Sequence, residues 1–388
     1  MTNQRTHRIV HLTSVHSALD VRIFHKECRS LARAGYEVIE LGNHTCTDTI
    51  GGVGLRGLGQ STSRFQRMTV KLSRMCWEAL RVDGDAYHIH DPELLIAGLV
   101  LRASGKRVVY DIHEDVPRDV LVKPYIPQPI RVPLMWIVEI VENAAARCMS
   151  GLVAATPAIA KRFYAKNANT VVVNNYPLLD EFPPLVSSQW RNRRLAVVYI
   201  GAIAEERGIR EMLAAMHLLP RDLGASLELA GRFVIPALET ELAASSQWQH
   251  VRWHGELDRN GAASLLKDVR AGLVLYHPEK NHVAAQPNKL FEYMAAGIPV
   301  IASDFPLWRN IIESAGCGLL VDPLDPRAIA GAIARLMMNC KEAEEMGQRG
   351  RKAVERLFNW ANEERTLLAF YASLLTERAV VGKETAMI

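Results

Sequence analysis

Three short stretches of this chain gather side chains that could do chemistry, and a fourth offers candidates by position. The stretch PNKLFEYMAAGIPVIASD, from Pro287 to Asp304, sets Lys289 and Glu292 in the opening turns of a helix. Leu290, Phe291, Met294 and Ala295 define that helix by their spacing. Free N–H groups at a helix N-terminus, with a lysine beside them, attract phosphate, and a carboxylate there can accept from ribose hydroxyls. Tyr293 adds polar reach, and Asn288 is read as the N-cap. Two strand ends in the first half are crowded in another way. AYHIHDPELL places His88 and His90 on one side of a strand, with Asp91 and Glu93 beyond, and VVYDIHEDVPRDV ends on Asp111, His113, Glu114 and Asp115. Imidazole among carboxylates can hold a proton near neutrality or donate to a sugar hydroxyl. The loop SVHSALDVRIFHKE offers His16, Asp20 and Arg22 by position alone.

Each candidate also has a plainer reading. Most glutamates on helices are solvated, and His113 could be a structural histidine satisfied by Asp111 or Asp115. His90 is a weaker candidate for lining a binding cleft. Asp83-Gly84-Asp85 has the spacing of a metal-binding pair but falls at the amino end of a strand, so it reads as a turn. The glycine-rich run from Gly51 to Gly59 does not join a strand directly to a helix, so it reads as a loop rather than a dinucleotide fingerprint.

The elements that must position these residues alternate. In the first half HRIVHLTS, YEVIELG, AYHIH, KRVVYDIH and GLVAATP read as strands. Helices fall between them, from Val21 to Ala34 and from Pro92 to Ser104, and LMWIVEIVENAAARC is another. A second series begins at LAVVYIGAI and continues through LGASLELAG, HVRWHGEL, AGLVLYHP, GIPVIAS and GCGLLVD. Gly297 stops the helix before GIPVIAS, and Pro299 prevents it resuming. This alternation predicts two α/β domains with doubly wound parallel sheets, in which ligands bind at the carboxyl ends of strands. The boundary falls in NNYPLLDEFPPLVSSQWRNRR, where Asn174 to Pro177 reads as a backbone cap at a hinge. That gives domains 1–180 and 181–360, with a helix in 361–388 returning toward the first domain. The tail from Val380 reads as frayed.

The Pro287–Asp304 stretch resembles the C-terminal motif of the retaining glycosyltransferases of family 4, which have the GT-B fold. In that family a glutamate, seven other residues and a second glutamate lead into an EAMACGxPVVAS-like run. Glu292 matches the second glutamate, and Ala284 stands where the first would fall. YIGAIAEERGIREML is similar to another segment of the family. Gly201 keeps its tight turn, Arg207 and Gly208 match a lysine–glycine pair, and Ala202 replaces an arginine. The resemblance implies two Rossmann-like domains facing across a cleft, and transfer of a sugar from a nucleotide-sugar donor with retention and without a metal. It places Gly201, Arg207, Asn288, Leu290 and Glu292 on the donor and His113 toward the transferred sugar. Lys289 joins the donor site by the helix-terminus argument, since the family more often has proline there. His113, Arg207 and Lys289 are then the catalytic candidates. His16, Asp20, Arg22 and His90 fall on the acceptor side. The acceptor is a saccharide or a lipid-linked saccharide, as in surface polysaccharide synthesis. A nucleotide-sugar epimerase of the same fold and a non-catalytic nucleotide-sugar-binding protein stay open as alternatives.

Composition agrees with a folded, two-domain chain. The 388 residues are 49% hydrophobic and 23% charged, with a formal net charge of +4. Residues 1–180 carry 22 Lys and Arg against 17 Asp and Glu, a net of +5, too diffuse for a nucleic-acid surface. The six cysteines lack paired spacing, so neither a zinc site nor a disulfide framework is expected, and no cofactor is called for. Nothing approaches a run of about 18 apolar residues, which points to a cytoplasmic protein. Arg64, Arg67, Lys71 and Arg74 recur at helical spacing beside Phe65, Met68, Leu72, Met75 and Ala79. That helix suits a protein surface with its stripe on the core; contact with anionic lipid at the inner face of a membrane is the sharper reading.

Overall fold

The computed structural model describes residues 6–44, 47–59, 66–122, 126–183 and 190–376. Their contacts divide the chain into two units, residues 1–175 with 361–388, and residues 176–360.

The first unit is an eight-stranded sheet of order β3-β4-β2-β1-β5-β6-β7-β8. Its strands are β1 (Arg8–Ser17), β2 (Glu37–Asn43), β3 (Asp48–Ile50), β4 (Val53–Gly57), β5 (Ala86–Ile89), β6 (Arg107–Ile112), β7 (Gly151–Ala154) and β8 (Thr170–Val172). All neighbouring pairs are parallel except β3–β4. That exception corrects the glycine-rich run expected as a loop. Gly51 and Gly52, with φ of 58° and 83°, turn a two-residue hairpin that few other residues could form. After β1 a π-helical segment, Val21–Cys28, runs into α1 (Arg29–Arg33). The helices that follow are α2 (Leu72–Val82), α3 (Leu95–Ala103), α4 (Val116–Val122), α5 (Gln128–Cys148) and α6 (Pro157–Phe163).

Strand alternation gives this sheet two unlike faces. Val10, Leu12, Ile39, Tyr87, Ile89, Tyr110 and Ile112 face a core shared with Met75 and Ala79 of α2, Leu95 and Leu101 of α3 and Ala145 of α5. The intervening residues His11, Glu40, His88 and Asp111 are buried and polar, and His11 pairs in register with both Glu40 and His88. A buried polar face must satisfy its groups internally. The π-helical segment brings Arg22 between Asp111 and Glu27, and the last described helix supplies Tyr371, whose hydroxyl lies 2.9 Å from His88 Nδ1.

The second unit is a parallel sheet of order β11-β10-β9-β12-β13-β14. It comprises β9 (Ala196–Ile200), β10 (Ser226–Ala230), β11 (Val251–Trp253), β12 (Ala271–Val274), β13 (Val300–Ser303) and β14 (Gly318–Val321). The crossovers carry α7 (Ile209–Leu218), α8 (Pro236–Ala243), α9 (Arg259–Asp268), the short α10 (Lys280–Val283), α11 (Asn288–Ala295) and α12 (Pro306–Ala315). α13 (Pro326–Met338) and α14 (Cys340–Arg356) follow, and α15 (Trp360–Thr376) belongs from Ala361 onward to the first unit. The inner strands β9, β10, β12 and β13 are short, mostly apolar runs buried on both faces, as helices on either side of a parallel sheet require.

Candidate active site

In the second unit the strand order reverses between β9 and β12, the place where doubly wound sheets open for ligands. Gly201 follows β9 with φ of 134°, a conformation that favours glycine. A Cβ on Gly201 would sit 3.0 Å from Lys289 Nζ, so the loop rests directly on that amine. Arg207 closes the short turn Glu205–Arg207 before Gly208, whose left-handed backbone starts α7. A Cβ at Gly208 would meet Leu275 O at 2.1 Å, so only glycine fits there.

Lys289 does not stand out into solvent as the helix-terminus argument expects. It is 6% exposed, and its amine lies 3.7 Å from the centroid of the Tyr199 ring and 5.3 Å from that of Tyr276. Among the described residues Lys289 Nζ has no hydrogen-bond partner. Burial drives its pKa well below that of an ordinary lysine, the charge of Arg207 adds to this, and Glu292 opposes it. Arg207 is half-buried, with its guanidinium 5.5 Å from the Tyr276 ring and a hydrogen bond to the Tyr199 hydroxyl. Burial alone would lower the pKa of Arg207; Tyr276 and Tyr199 more than reverse that. Arg210, not Arg207, takes the carboxylate of Glu205. Gly201, Arg207, Lys289 and the half-buried Glu292 therefore converge at one place.

Three neighbours in the helix depart from expectation. α11 starts at Asn288 with Pro287 as its N-cap residue, so Asn288 is exposed in the first turn and is not the cap. Leu290 is fully buried and its N–H goes to Pro287 O, which leaves it a packing residue. Tyr293 is also core, its hydroxyl accepting from Ile200 N at 3.0 Å and fixing the end of β9 to α11. Ala284 is exposed at the end of α10. Tyr199 and Tyr276 are the residues that sequence reasoning missed. Each is a lone polar aromatic at the carboxyl end of a buried strand, a signal that strand position could have supplied.

In the first unit His113 follows β6 with a partly exposed side chain, and its Nε2 lies 2.8 Å from Asp111 Oδ2. Arg22 grips Asp111 from behind, Nε to Oδ2 at 3.0 Å and Nη2 to Oδ1 at 2.8 Å, and donates to Val173 O. Burial alone would raise the pKa of Asp111, but Arg22 and then His113 hold it well below the usual carboxylate range. Arg22 is thus spent inside the unit and is a positioning residue rather than a contact for an acceptor. His90 is likewise buried behind His113, sharing Asp111 at 3.1 Å and reaching His11 at 2.9 Å. Asp20 caps the helical segment, accepting from Arg22 N and Ile23 N at 2.8 and 3.0 Å. His16 and Asp20 are half-buried, and His16 lies 3.5 Å from both Asp20 and Asp91 and beside the His113 ring. Burial would lower the pKa of His16, but Asp20 and Asp91 raise it overall. Asp91 and Glu93 are fasteners: Asp91 Oδ2 accepts from Thr13, Ser14 and Val15, and Glu93 binds Ser14 Oγ and Arg67.

Deeper in the same face His11, Glu27, His88 and His90 each place one ligand atom within 4.8 Å of the others. Histidines and a carboxylate at such range are the donor set of a zinc site. Among the described residues His11 Nε2, His88 Nε2 and both carboxylate oxygens of Glu27 have no hydrogen-bond partner. Burial keeps His11 and His88 neutral and raises the pKa of Glu27, while Arg22 and Asp111 neutralise each other.

The basic helix is also placed differently from the lipid reading. Lys71 is buried, hydrogen-bonded to Asn43 Oδ1, and Arg67 pairs with Glu93 at 2.7 Å, so both turn inward to carboxylate and amide oxygens. Arg74 is exposed, whereas Arg64 and Phe65 lie outside the described residues. Met68, expected on the inward stripe, is 56% exposed. Asp83 and Asp85 form the expected turn, Asp83 with φ of 52° and Asp85 accepting from Arg8 N.

Comparison with known proteins bears on the second unit most directly. Residues 186–353 match the family model of glycosyl transferases group 1. Among curated proteins the chain is 28% identical over 141 residues to the phosphatidyl-myo-inositol mannosyltransferase of Mycobacterium leprae. It is 25% identical over 173 residues to the capsular polysaccharide biosynthesis glycosyltransferase CapM of Staphylococcus aureus. These matches cover 34% and 43% of this chain and the same shares of those relatives, so the chain spans well under half of their length. The MMP alpha-(1->4)-mannosyltransferase of Mycolicibacterium hassiacum is 24% identical over 310 residues, 76% of this chain and 72% of that protein. Among solved structures, sucrose-phosphate synthase from Thermosynechococcus elongatus superposes with a TM-score of 0.75 at 19% identity, covering 96% of this chain and all of that one. Anabaena HepE in complex with UDP-glucose gives 0.70 at 13%, covering 94% and 99%. At such identities the likeness shows the fold alone: GT-B, with two doubly wound domains.

Proposed function

We propose that this protein is a glycosyltransferase that moves a sugar from a nucleotide-sugar donor to a saccharide or lipid-linked acceptor, with retention of configuration. The observation that carries the reading is the meeting of Gly201, Arg207 and the unpartnered amine of Lys289, within the stretch that matches the group 1 model. A diphosphate set on the Gly201 turn would give Lys289 the partner it lacks and restore its charge. Arg207 would bind the diphosphate through its planar fork, and Glu292 would accept from the ribose. Charge that builds on the leaving diphosphate as the glycosidic bond breaks is then met by two fixed cations. These cations do the work that a metal ion does in other transferases.

No carboxylate occupies position 284, so a protein nucleophile at that place is lacking. The acceptor oxygen attacks the anomeric carbon on the face the diphosphate leaves, its proton passes to the departing phosphate oxygen, and configuration is retained. His113, whose Nε2 is held by Asp111, has Nδ1 as its second ring nitrogen for hydrogen bonding to a sugar hydroxyl. Capsular and lipid-linked glycan synthesis are the settings that the relatives suggest.

A thermal-shift screen with uridine and guanosine diphosphates and their sugars tests this, because a bound ligand stabilises the native state by mass action. Uridine diphosphate comes first, since HepE was crystallised with it. A rise in Tm with one diphosphate, lost on Glu292→Ala, is the expected result. No response to any nucleotide would end the proposal. Labelled donor without acceptor separates transfer from epimerisation, which would proceed alone.

A further inference from the structure

The helices on the apolar side of the first sheet carry a second apolar face, turned outward. α3 is LIAGLVLRA; its inner residues Leu95, Ala97, Gly98 and Leu101 are buried, yet Ile96 and Val100 are exposed. α5 goes further. Trp136 is 57% exposed, Ile137 58% and Ile140 66%, and α2 adds Trp77 at 55%. α2 packs on α3 and α3 on α5, so these side chains lie on three neighbouring helices. Scattered single hydrophobics need no explanation, but several together on three packed helices mark a binding surface.

We infer that this face lies on the surface of an anionic lipid bilayer. Charge decides the occupant. The exposed charged residues on α2, α3 and α5 are Arg74, Arg81 and Arg147; none of their carboxylates is exposed. Glu78 and Glu139 are half-buried, and Glu142 is buried against Tyr110 and Arg162. Glu78 Oε1 lies 4.0 Å from Arg81, while Arg74 and Arg147 face outward, so a second copy of the chain on this face would set a surplus of arginines against arginines. Anionic headgroups pair with them instead, while the apolar residues enter the acyl boundary. The two tryptophans suit the same place, since an indole has an apolar body and one polar N–H. Arg81 stacks on Trp77 at 4.2 Å, which keeps cation and ring at one level. Among the described residues no helix is long and apolar enough to cross a membrane, so this is contact along a surface. The surface differs from the inward side of the basic helix that holds Lys71. It also stands apart from the transferase reading, since binding is measured with no donor present.

The test is flotation of the full chain with vesicles of phosphatidylcholine, alone or mixed with phosphatidylglycerol. Binding should require phosphatidylglycerol, weaken with added salt, and fall about fivefold for each arginine removed in Arg74→Ser and Arg81→Ser. Trp136→Glu with Ile140→Glu should abolish it. These side chains are exposed, and an unchanged Tm shows that the variants fold. Bromine-labelled lipid offers a reading without mutation: it should quench tryptophan fluorescence in the wild type, and less in Trp136→Phe. Failure to float with either vesicle, or binding indifferent to both pairs of substitutions, overturns the inference. So does a wild-type dimer that Trp136→Glu dissociates in the absence of any vesicle binding.

Discussion

A buried amine that lacks a hydrogen-bond partner destabilises the fold that holds it, typically by about 1–3 kcal/mol, and the two tyrosine faces return only part of that. Lys289→Met should therefore raise the Tm of the free protein by a few degrees while erasing the shift caused by a nucleoside diphosphate. The pH dependence has a definite sign. Lys289 has a folded pKa well below the ordinary lysine value of 10.5, so between the two the unfolded chain binds more protons. The wild type should gain stability as pH rises through that window, and Lys289→Met should not; chemical denaturation across pH would show it. Diphosphate binding should take up a proton in the same window, visible as buffer-dependent heat in calorimetry. Arg207→Ala should lower kcat/KM at least about tenfold, on the order of 1.4 kcal/mol, and unchanged kinetics would count against its proposed role. In the first unit Arg22 is shared between Asp111 and Glu27, whose Oε1 lies 3.1 Å from Arg22 Nε, so loss of Asp111 leaves Glu27 to carry the buried charge alone. Asp111→Asn should cost several kcal/mol, at most roughly 3–5, in urea unfolding.

At the scale of elements, turns do much of the positioning. Gly201 lies at φ 134° against Lys289, so Gly201→Ala adds backbone strain of order 1–3 kcal/mol and pushes the amine aside. Diphosphate binding should suffer more than stability; a normal Tm shift in that variant would show that the loop does not form the cradle. The helical segment after β1 opens on Asp20, whose side chain accepts two N–H groups. Asp20→Ala should lose about 1 kcal/mol as a lost cap, with no special effect on acceptor use.

At the scale of the whole molecule, each unit closes its own core, but the first unit needs the end of the chain to do so. Leu367, Phe370, Tyr371 and Leu374 of α15 are buried there, and Tyr371 reaches His88. Four such side chains contribute roughly 6–12 kcal/mol by burial, comparable to the net stability of a domain. Ending the chain at Trp360 should expose β5–β7 to hydrogen exchange and leave the 176–360 unit protected. Both doubly wound sheets were legible in the sequence because apolar runs of strand length alternate with helical spacing, and those periods are local. Glu292 and Arg207 were singled out because their stretches match family motifs, Arg207 directly before Gly208 and Glu292 in the helix that Gly297 ends. The burial of Lys289, Leu290, Arg22 and His90 was not legible. A polar residue at the head of a helix or the end of a strand looks alike in sequence whether it faces water or the next layer. The hairpin at Gly51–Gly52 was hidden for a related reason, since pairing partners are chosen by the sheet. What the sequence determined alone was the order of elements and the residue types at the strand ends, set by neighbours within a few positions. Only the tertiary structure decided which of those polar groups lean on each other and which remain open to a ligand, because packing between layers joins residues far apart in the chain.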